Sequence, residues 1–263
     1  MQYKAGFIGV GNMGSALASA VYKSTESLAV CDSYAKAAAN FKATHPNAAV
    51  TTLEDIAANA RFAFFAIKPN IILGTAKQAA PVLGRDTVAV TIAAGVSLAE
   101  FTAAIGSERC IRIMPNTPAA VGQGMILYTL GADVTAQDER EFLELLRFAG
   151  VTDKLDEKLI DAAAALSGCG PAYVYMFAEA LADGAVRCGV PRDKALLYAK
   201  QTIFGSAAMM MQSEKHPEKL KDDVCSPGGT TIEGVLALEQ NGFRYAAAGA
   251  VTAAYEKTAR LKK

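Results

Sequence analysis

Gly9-Val10-Gly11-Asn12-Met13-Gly14 forms a G-x-G-x-x-G run that follows an apolar stretch and opens a helical one. In that setting Gly9 permits a tight turn, Gly11 lets the backbone approach a pyrophosphate, and Gly14 lets a helix pack closely on a strand. The free amides and positive end of the helix then receive phosphates. Asp32 stands eighteen residues beyond Gly14, where an acid usually holds a ribose 2′-hydroxyl, and this favours NAD. Ser33 beside it would instead donate to a 2′-phosphate, which suits NADP, with Lys36 as the nearby cation. Either Asp32 or Ser33 also fits a plain helix cap. Three further segments, Ala66-Ile67-Lys68-Pro69, Ile92-Ala93-Ala94-Gly95 and Met114-Pro115-Asn116-Thr117-Pro118, lie where apolar runs end. Ligands of open α/β sheets bind at the carboxyl ends of strands, and the small residues from Ala93 to Gly95 let a nicotinamide lie close to backbone. Ordinary strand-exit turns have the same composition.

The elements that must position these residues alternate along the first half. Ala5–Val10, Leu28–Cys31, Phe62–Ile67, Val88–Ile92, Cys110–Met114 and Met125–Thr129 read as strands. Most are apolar throughout, as strands covered on both faces should be. Between them, Met13–Lys23, Tyr34–Thr44, Leu53–Ala58, Ile71–Ala80, Leu98–Ile105 and Ala136–Ala149 read as helices, and Ser97 with Glu100 has capping-box spacing. The alternation predicts an α/β, doubly wound, mainly parallel sheet of Rossmann type. After about residue 155 the strand signal stops. Asp156–Leu166, Ala172–Cys188, Arg192–Gln212, Thr230–Gln240 and Arg244–Leu261 read as helices, with loops at His216-Pro217 and Ser226-Pro227-Gly228-Gly229. The expected division is a dinucleotide-binding domain over 1–155 and an all-helical domain over 156–263. The later helices are crowded with Ala and Met, and a helix apolar on several faces must be covered on several faces. About a hundred residues cannot easily do that alone, so this half is expected to form a homodimer.

Composition narrows the classes further. Hydrophobic residues make up 52% of the 263 and charged residues 20%, which excludes global disorder. Lys plus Arg and Asp plus Glu both number 26, so no nucleic-acid partner is expected. The uncharged stretch Ile113–Ala132 holds Pro115, Pro118 and three glycines and is no membrane span. The 5 Cys form no C-x-x-C pair and read as reduced thiols of a cytoplasmic protein, consistent with an amino terminus lacking a leader-type apolar core. With 2 His, a histidine metal site is not expected.

Two loops belong to the second half. Ser167-Gly168-Cys169-Gly170-Pro171-Ala172-Tyr173 feeds a helix with Pro in its first turn. Cys225-Ser226-Pro227-Gly228-Gly229-Thr230-Thr231-Ile232 offers amides at a helix start and two hydroxyls, a suitable receptor for a carboxylate. With these loops, the glycine turn, the A-I-K-P and A-A-G exits, M-P-N-T-P, and the D-x-V-x-S-P-G-G-x-T run from Asp222 to Thr231, the chain resembles the pyrroline-5-carboxylate reductases along essentially its whole length.

The resemblance implies a Rossmann domain and a helical domain that interlocks with a second copy, with substrate near the dimer interface and dimers sometimes gathered into rings. It implies NADPH, with NADH possible, as cofactor. The implied contacts are Ile8, Gly9, Val10, Gly11, Asn12, Met13, Ser33, Ala66, Ile67, Lys68, Pro69, Ile92, Ala93 and Ala94, and the motif readings above add Gly14, Asp32 and Asn116 as cofactor-binding candidates. Gly229, Thr230 and Thr231 would hold the substrate carboxylate and ring nitrogen, with Glu214 and Glu157 near the site. The substrate would be a five-membered cyclic imine. Thr231 is then the candidate catalytic residue, hydrogen-bonded to the imine nitrogen and relaying its proton, while Lys68 neutralises anionic charge; a mere helix cap is the other reading of Thr231. Cys169 and Asp223 replace the Ser and Asn that many relatives carry. Two alternatives remain: another imine or β-hydroxyacid reductase, and a non-catalytic dinucleotide sensor. The first depends, in its hydroxyacid form, on a Lys in the long central helix, and Ala172–Arg187 has none.

Overall fold

The computed structural model describes residues 2–261. Its sheet has eight strands, β1 (Tyr3–Ile8), β2 (Leu28–Cys31), β3 (Ala49–Val50), β4 (Ala60–Phe65), β5 (Val88–Thr91), β6 (Cys110–Met114), β7 (Gly124–Leu130) and β8 (Gly150–Lys154). They lie in the order β3-β2-β1-β4-β5-β6-β7-β8. All neighbours pair in parallel except β6 and β7. The first six strands therefore have the 3-2-1-4-5-6 order of a dinucleotide-binding sheet.

The central strands are apolar throughout because both faces are covered, and their period of two sends alternate residues to opposite cores. Phe7, Phe62, Phe64, Val88, Val90, Ile111 and Ile113 face one side, against Leu17 and Val21 of α1 (Asn12–Ser24), Phe41 of α2 (Ala35–Thr44) and Phe142 and Leu146 of α6 (Ala136–Leu146). Ile8, Ala63, Phe65 and Ala89 face the other, against Ile56 of α3 (Leu53–Asn59), Ile72 and Ala76 of α4 (Pro69–Ala79) and Phe101 and Ile105 of α5 (Leu98–Ile105). Phe7 and Phe64 stack with ring centroids 4.4 Å apart. Each such fully buried side chain contributes about 1.5–3 kcal/mol by leaving water. The helix α5 starts as its sequence implies: the Glu100 amide donates to Ser97 Oγ and the Ser97 amide to the Glu100 carboxylate, a reciprocal cap.

Three elements differ from the sequence reading. The strand β3 has two residues and β8 reads Gly-Val-Thr-Asp-Lys; both sit at sheet edges, half in solvent, and lack an apolar run. The segment read as a loop at His216-Pro217 is the start of α10 (Pro217–Val224). Pro217 occupies its first turn, and the His216 ring nitrogen accepts from the Glu218 amide. Proline in that position starts a helix rather than interrupting one.

The remaining helices are α7 (Glu157–Ser167), α8 (Gly170–Arg187), α9 (Arg192–Gln212), α11 (Thr230–Gln240) and α12 (Phe243–Leu261). The chain divides into two compact units, one of Met1–Cys169 with Ala254–Lys263, the other of Gly170–Ala253. This division groups α7 with the sheet. The reason is physical: Ile160 of α7 packs on Met114 and Leu127, and the buried Arg112 of β6 pairs with Glu157 at 2.8 Å and Asp161 at 2.7 Å. In the second unit, α8 ends at Gly189 (φ +95°), and Ala182, Ala195 and Ala199 form a small core between α8 and α9. Little else there is covered within one chain. Met176, Met209 and Met211 are 72%, 65% and 77% exposed, and among the described residues of α12 no side chain is fully buried.

Candidate active site

The glycine turn joins β1 to α1 at the carboxyl edge of the sheet. Gly9 has φ +97°, and a Cβ there would lie 2.5 Å from the Ala66 carbonyl oxygen. A Cβ on Gly14 would lie 2.2 Å from the Gly9 carbonyl oxygen. Both glycines are therefore required by close packing. Gly11 differs: a Cβ there meets nothing within 4 Å, and Gly11 is the N-cap of α1 without a side-chain cap. The first amides of α1 thus have no side-chain cap, the condition under which a helix start receives a phosphate.

Two hollows flank this turn. One, of about 340 Å³, brings together Ile8, Gly9, Asp32, Ser33 and Ile67 with Thr51, Thr52, Leu53, Ile71, Thr75 and Gln78, six residues that no sequence motif singles out. The other, of about 530 Å³, brings together Gly11, Asn12, Met13, Gly14, Ala66–Pro69 and Ile92–Ala94. Its far wall comes from Met114, Pro115, Asp161, Ala164, Ala165, Gly168, Cys169 and Thr258. Ile67 touches both hollows. Cys31 borders the first hollow, and burial together with the neighbouring Asp32 charge pushes its thiol up to about 12, so it stays protonated and adds no negative charge.

Three expected contacts have other partners. Asn116 lines neither hollow. Its side-chain amide donates to the Ser167 carbonyl at 2.9 Å and accepts from the Met125 amide at 2.9 Å, tying the exit of β6 to the start of β7 and the end of α7. Glu157 accepts from the Leu98 amide at 2.6 Å as well as from Arg112, so it ties the start of α7 to β6 and to the first residue of α5. Val10 is buried and lines neither hollow; its amide donates to Asp32 Oδ2 at 2.8 Å. The other Asp32 oxygen accepts from the Tyr34 amide at 2.8 Å. Signals for these partners existed in the sequence: Arg112 is the lone charge in an apolar strand, and Glu157 and Asp161 are spaced four apart on a helix.

The second unit holds the other candidate residues. Gly228 has φ +67°, and the Gly229 amide closes a turn onto the Ser226 carbonyl. Gly229 is the N-cap of α11 and makes no side-chain cap, so Thr230 and Thr231 are its first two helical residues and Thr231 is not the cap. Thr230 and Thr231 are exposed, as is Glu214. The amides of this first turn and the two hydroxyls suit a carboxylate. Asp223 nearby in sequence is held to about 2 by hydrogen bonds from Lys215, at 2.8 Å, and Lys219, so it is charged and engaged.

An open sheet of this order, a glycine turn and paired hollows at the strand ends define a dinucleotide-dependent oxidoreductase fold with an appended helical unit. Residues 4–95 match the family described as NADP oxidoreductase, coenzyme F420-dependent. Residues 157–261 match that described as pyrroline-5-carboxylate reductase dimerisation. The chain is 42% identical over 269 residues to the pyrroline-5-carboxylate reductase of Escherichia coli (strain K12), covering 100% of both. It is 40% identical over 262 residues to that of Pisum sativum, covering 98% of this chain and 96% of the relative. Among solved structures, the pyrroline carboxylate reductase of Plasmodium falciparum with NADP bound matches with a TM-score of 0.88 at 32% identity over 100% of both chains. The enzyme of Coxiella burnetii matches with a TM-score of 0.90 at 28% identity over 100% of both. The chain belongs to the pyrroline-5-carboxylate reductase family.

Proposed function

We propose that this protein reduces the C=N bond of 1-pyrroline-5-carboxylate to give L-proline, the last step of proline biosynthesis, with NADPH as the preferred nucleotide and NADH as a second. The observation that carries the reading is the match to reductases of this reaction along the entire chain. The residues present fit the nucleotide: Gly11 is open where a pyrophosphate must approach, and the hollows on either side suit its two halves. When bound, the reduced nucleotide supplies the hydride.

The protein's own task is placement. The α1 amides would hold the pyrophosphate, and the small residues from Ile92 to Ala94 would leave room for the nicotinamide beside the second hollow. Gly229 and Thr230 at the start of α11 hold the substrate carboxylate by amide and hydroxyl donors. Thr231 Oγ1 hydrogen-bonds the ring nitrogen and hands it a proton as the C=N bond is reduced, with Glu214 beside the substrate. A protonated imine is already electrophilic, so orientation supplies much of the rate, and well-oriented reactions gain about 7–11 kcal/mol from it. Lys68, the N-cap residue of α4, neutralises anionic charge. The working form is a homodimer joined through the helical half, with a larger ring of dimers as a further assembly. The location is the cytoplasm, in keeping with five cysteines that form no bridge.

The test is consumption of NADPH, and separately of NADH, on addition of pyrroline-5-carboxylate, with proline measured as product. Matched consumption and proline formation are expected. Neither nucleotide being consumed by a folded protein that binds both would contradict the proposal.

A further inference from the structure

Asp32 is the one residue of the nucleotide site whose chemistry disagrees with NADPH. An acid directly after β2 with free oxygens takes a ribose 2′-hydroxyl and opposes a 2′-phosphate. In this chain each oxygen already accepts one backbone hydrogen bond. Oδ2 accepts from the Val10 amide at 2.8 Å and Oδ1 from the Tyr34 amide at 2.8 Å. Val10 is the middle of the tight turn between Gly9 and Gly11, and Tyr34 is the N-cap residue of α2. The carboxylate thus bridges the phosphate-binding turn to the start of the next helix. Charge-assisted bonds of this kind are roughly twice as strong as neutral ones.

We propose that Asp32 is a positioning residue, a strut that fixes the glycine turn for the pyrophosphate rather than a reader of the ribose, so that it serves NADPH and NADH alike. This inference rests on the nucleotide reading given above. Discrimination between the two nucleotides then falls to the groups left free around the same hollow. Ser33 and Gln78 line it, and among the described residues neither side chain has a hydrogen-bond partner in the protein. The other polar residues there are engaged: Thr51 donates to Asp55, Thr52 caps α3, and Thr75 donates to the Ile71 carbonyl. A 2′-phosphate presents acceptors only, and Ser33 Oγ and the Gln78 amide are both donors.

Asp32→Asn separates the two roles. An asparagine oxygen still accepts from the Tyr34 amide as an Asx turn, so α2 starts normally, but the Val10 amide loses its carboxylate. Fluorescence titration of NADPH and NADH is expected to show both weakened, by about tenfold, since a lost hydrogen bond to a charged group has that size. The ratio of the two affinities should stay within about fivefold of the parent. Steady-state kinetics should show KM rising for both nucleotides while kcat at saturation falls less than about threefold. Asp32→Ser, which also keeps an acceptor for the Tyr34 amide, should behave the same way. NADPH tightening while NADH weakens would overturn the proposal, as would affinities for both within twofold of the parent. A parent protein that binds neither nucleotide would overturn the nucleotide reading, and this inference with it.

Discussion

At the scale of single residues, two glycines of one motif have different tasks. Gly14→Ala forces a methyl against the Gly9 carbonyl and should lower stability by about 1–3 kcal/mol, the usual cost of overpacking. Gly11→Ala places its methyl in open space, so the variant should keep the parent's melting temperature and lose nucleotide affinity by tenfold or so, the methyl standing where the pyrophosphate must approach. Thermal melts beside nucleotide titrations check both; a Gly11→Ala protein that binds NADPH normally would place the phosphate elsewhere. Thr231→Ala should lower kcat/KM for the imine by one to two orders of magnitude, from about 1.5–3 kcal/mol of lost hydrogen bonding, with NADPH affinity near the parent's. Unchanged kinetics would remove Thr231 from the chemistry. The glycine turn was legible because its spacing states a backbone requirement. Thr51, Thr75 and Gln78 were not legible, because nothing in their type or neighbours marks them: they reach the first hollow only through the packing of β3 and α4. Asn116 illustrates the reverse case, a polar residue in a strand-exit motif whose hydrogen bonds turn out to join elements.

At the scale of elements, charge pairs hold the sheet to its helices where apolar packing ends. Asp138, fully buried on α6, accepts from Arg61 at the start of β4 and from Arg109 beside β6 at 2.8 Å. Burial alone would raise its carboxyl; the bonds from Arg109, from the Thr135 amide and hydroxyl and from Arg61 outweigh it and hold it below the ordinary carboxylate range. A carboxyl depressed in the native state binds protons more readily in the unfolded one. It therefore contributes stability that is complete above about pH 4 and is lost as pH falls toward the native value. Asp138→Asn should destabilise the protein by about 1.5–3 kcal/mol at neutral pH, because Arg61 and Arg109 lose their buried carboxylate and keep only the more exposed Glu141 and Asp86. Urea midpoints of parent and variant should converge on acidification, whereas a gap that stays constant with pH would show that Asp138 acts through packing alone. The strands β1, β2, β4, β5, β6 and β7 were readable as apolar runs because both faces are buried. The edge strands β3 and β8 carry no such run, and α10 was hidden by the proline that in fact begins it.

At the scale of the whole molecule, the sheet-bearing unit has a complete core and the helical unit does not. Leu197, Phe204 and Met209 on α9 lie open in a single chain, and apolar patches of more than a few hundred Å² are unusual on monomers. Burying them in a homodimer should make the apparent melting temperature rise with protein concentration. Sedimentation with an activity titration on dilution checks this, and since the loop from Ser226 to Thr231 belongs to the helical half, activity should fall as dimers separate. A fully active monomer would contradict the dimer. The helical half was recognisable as a dimerisation element because its helices are crowded with Ala and Met and carry few charges, while its loop was given a role by the sequence of the loop itself. The claim on which all of this rests is that one chemical event, delivery of hydride to the C=N carbon, occurs on this protein. It is measured by supplying NADPH deuterated at the transferring position together with pyrroline-5-carboxylate, and locating the label by mass spectrometry and NMR. Proline carrying a single deuterium on the ring carbon formerly double-bonded to nitrogen is expected. Proline without deuterium, or NADPH left intact beside unreduced imine, would contradict the claim.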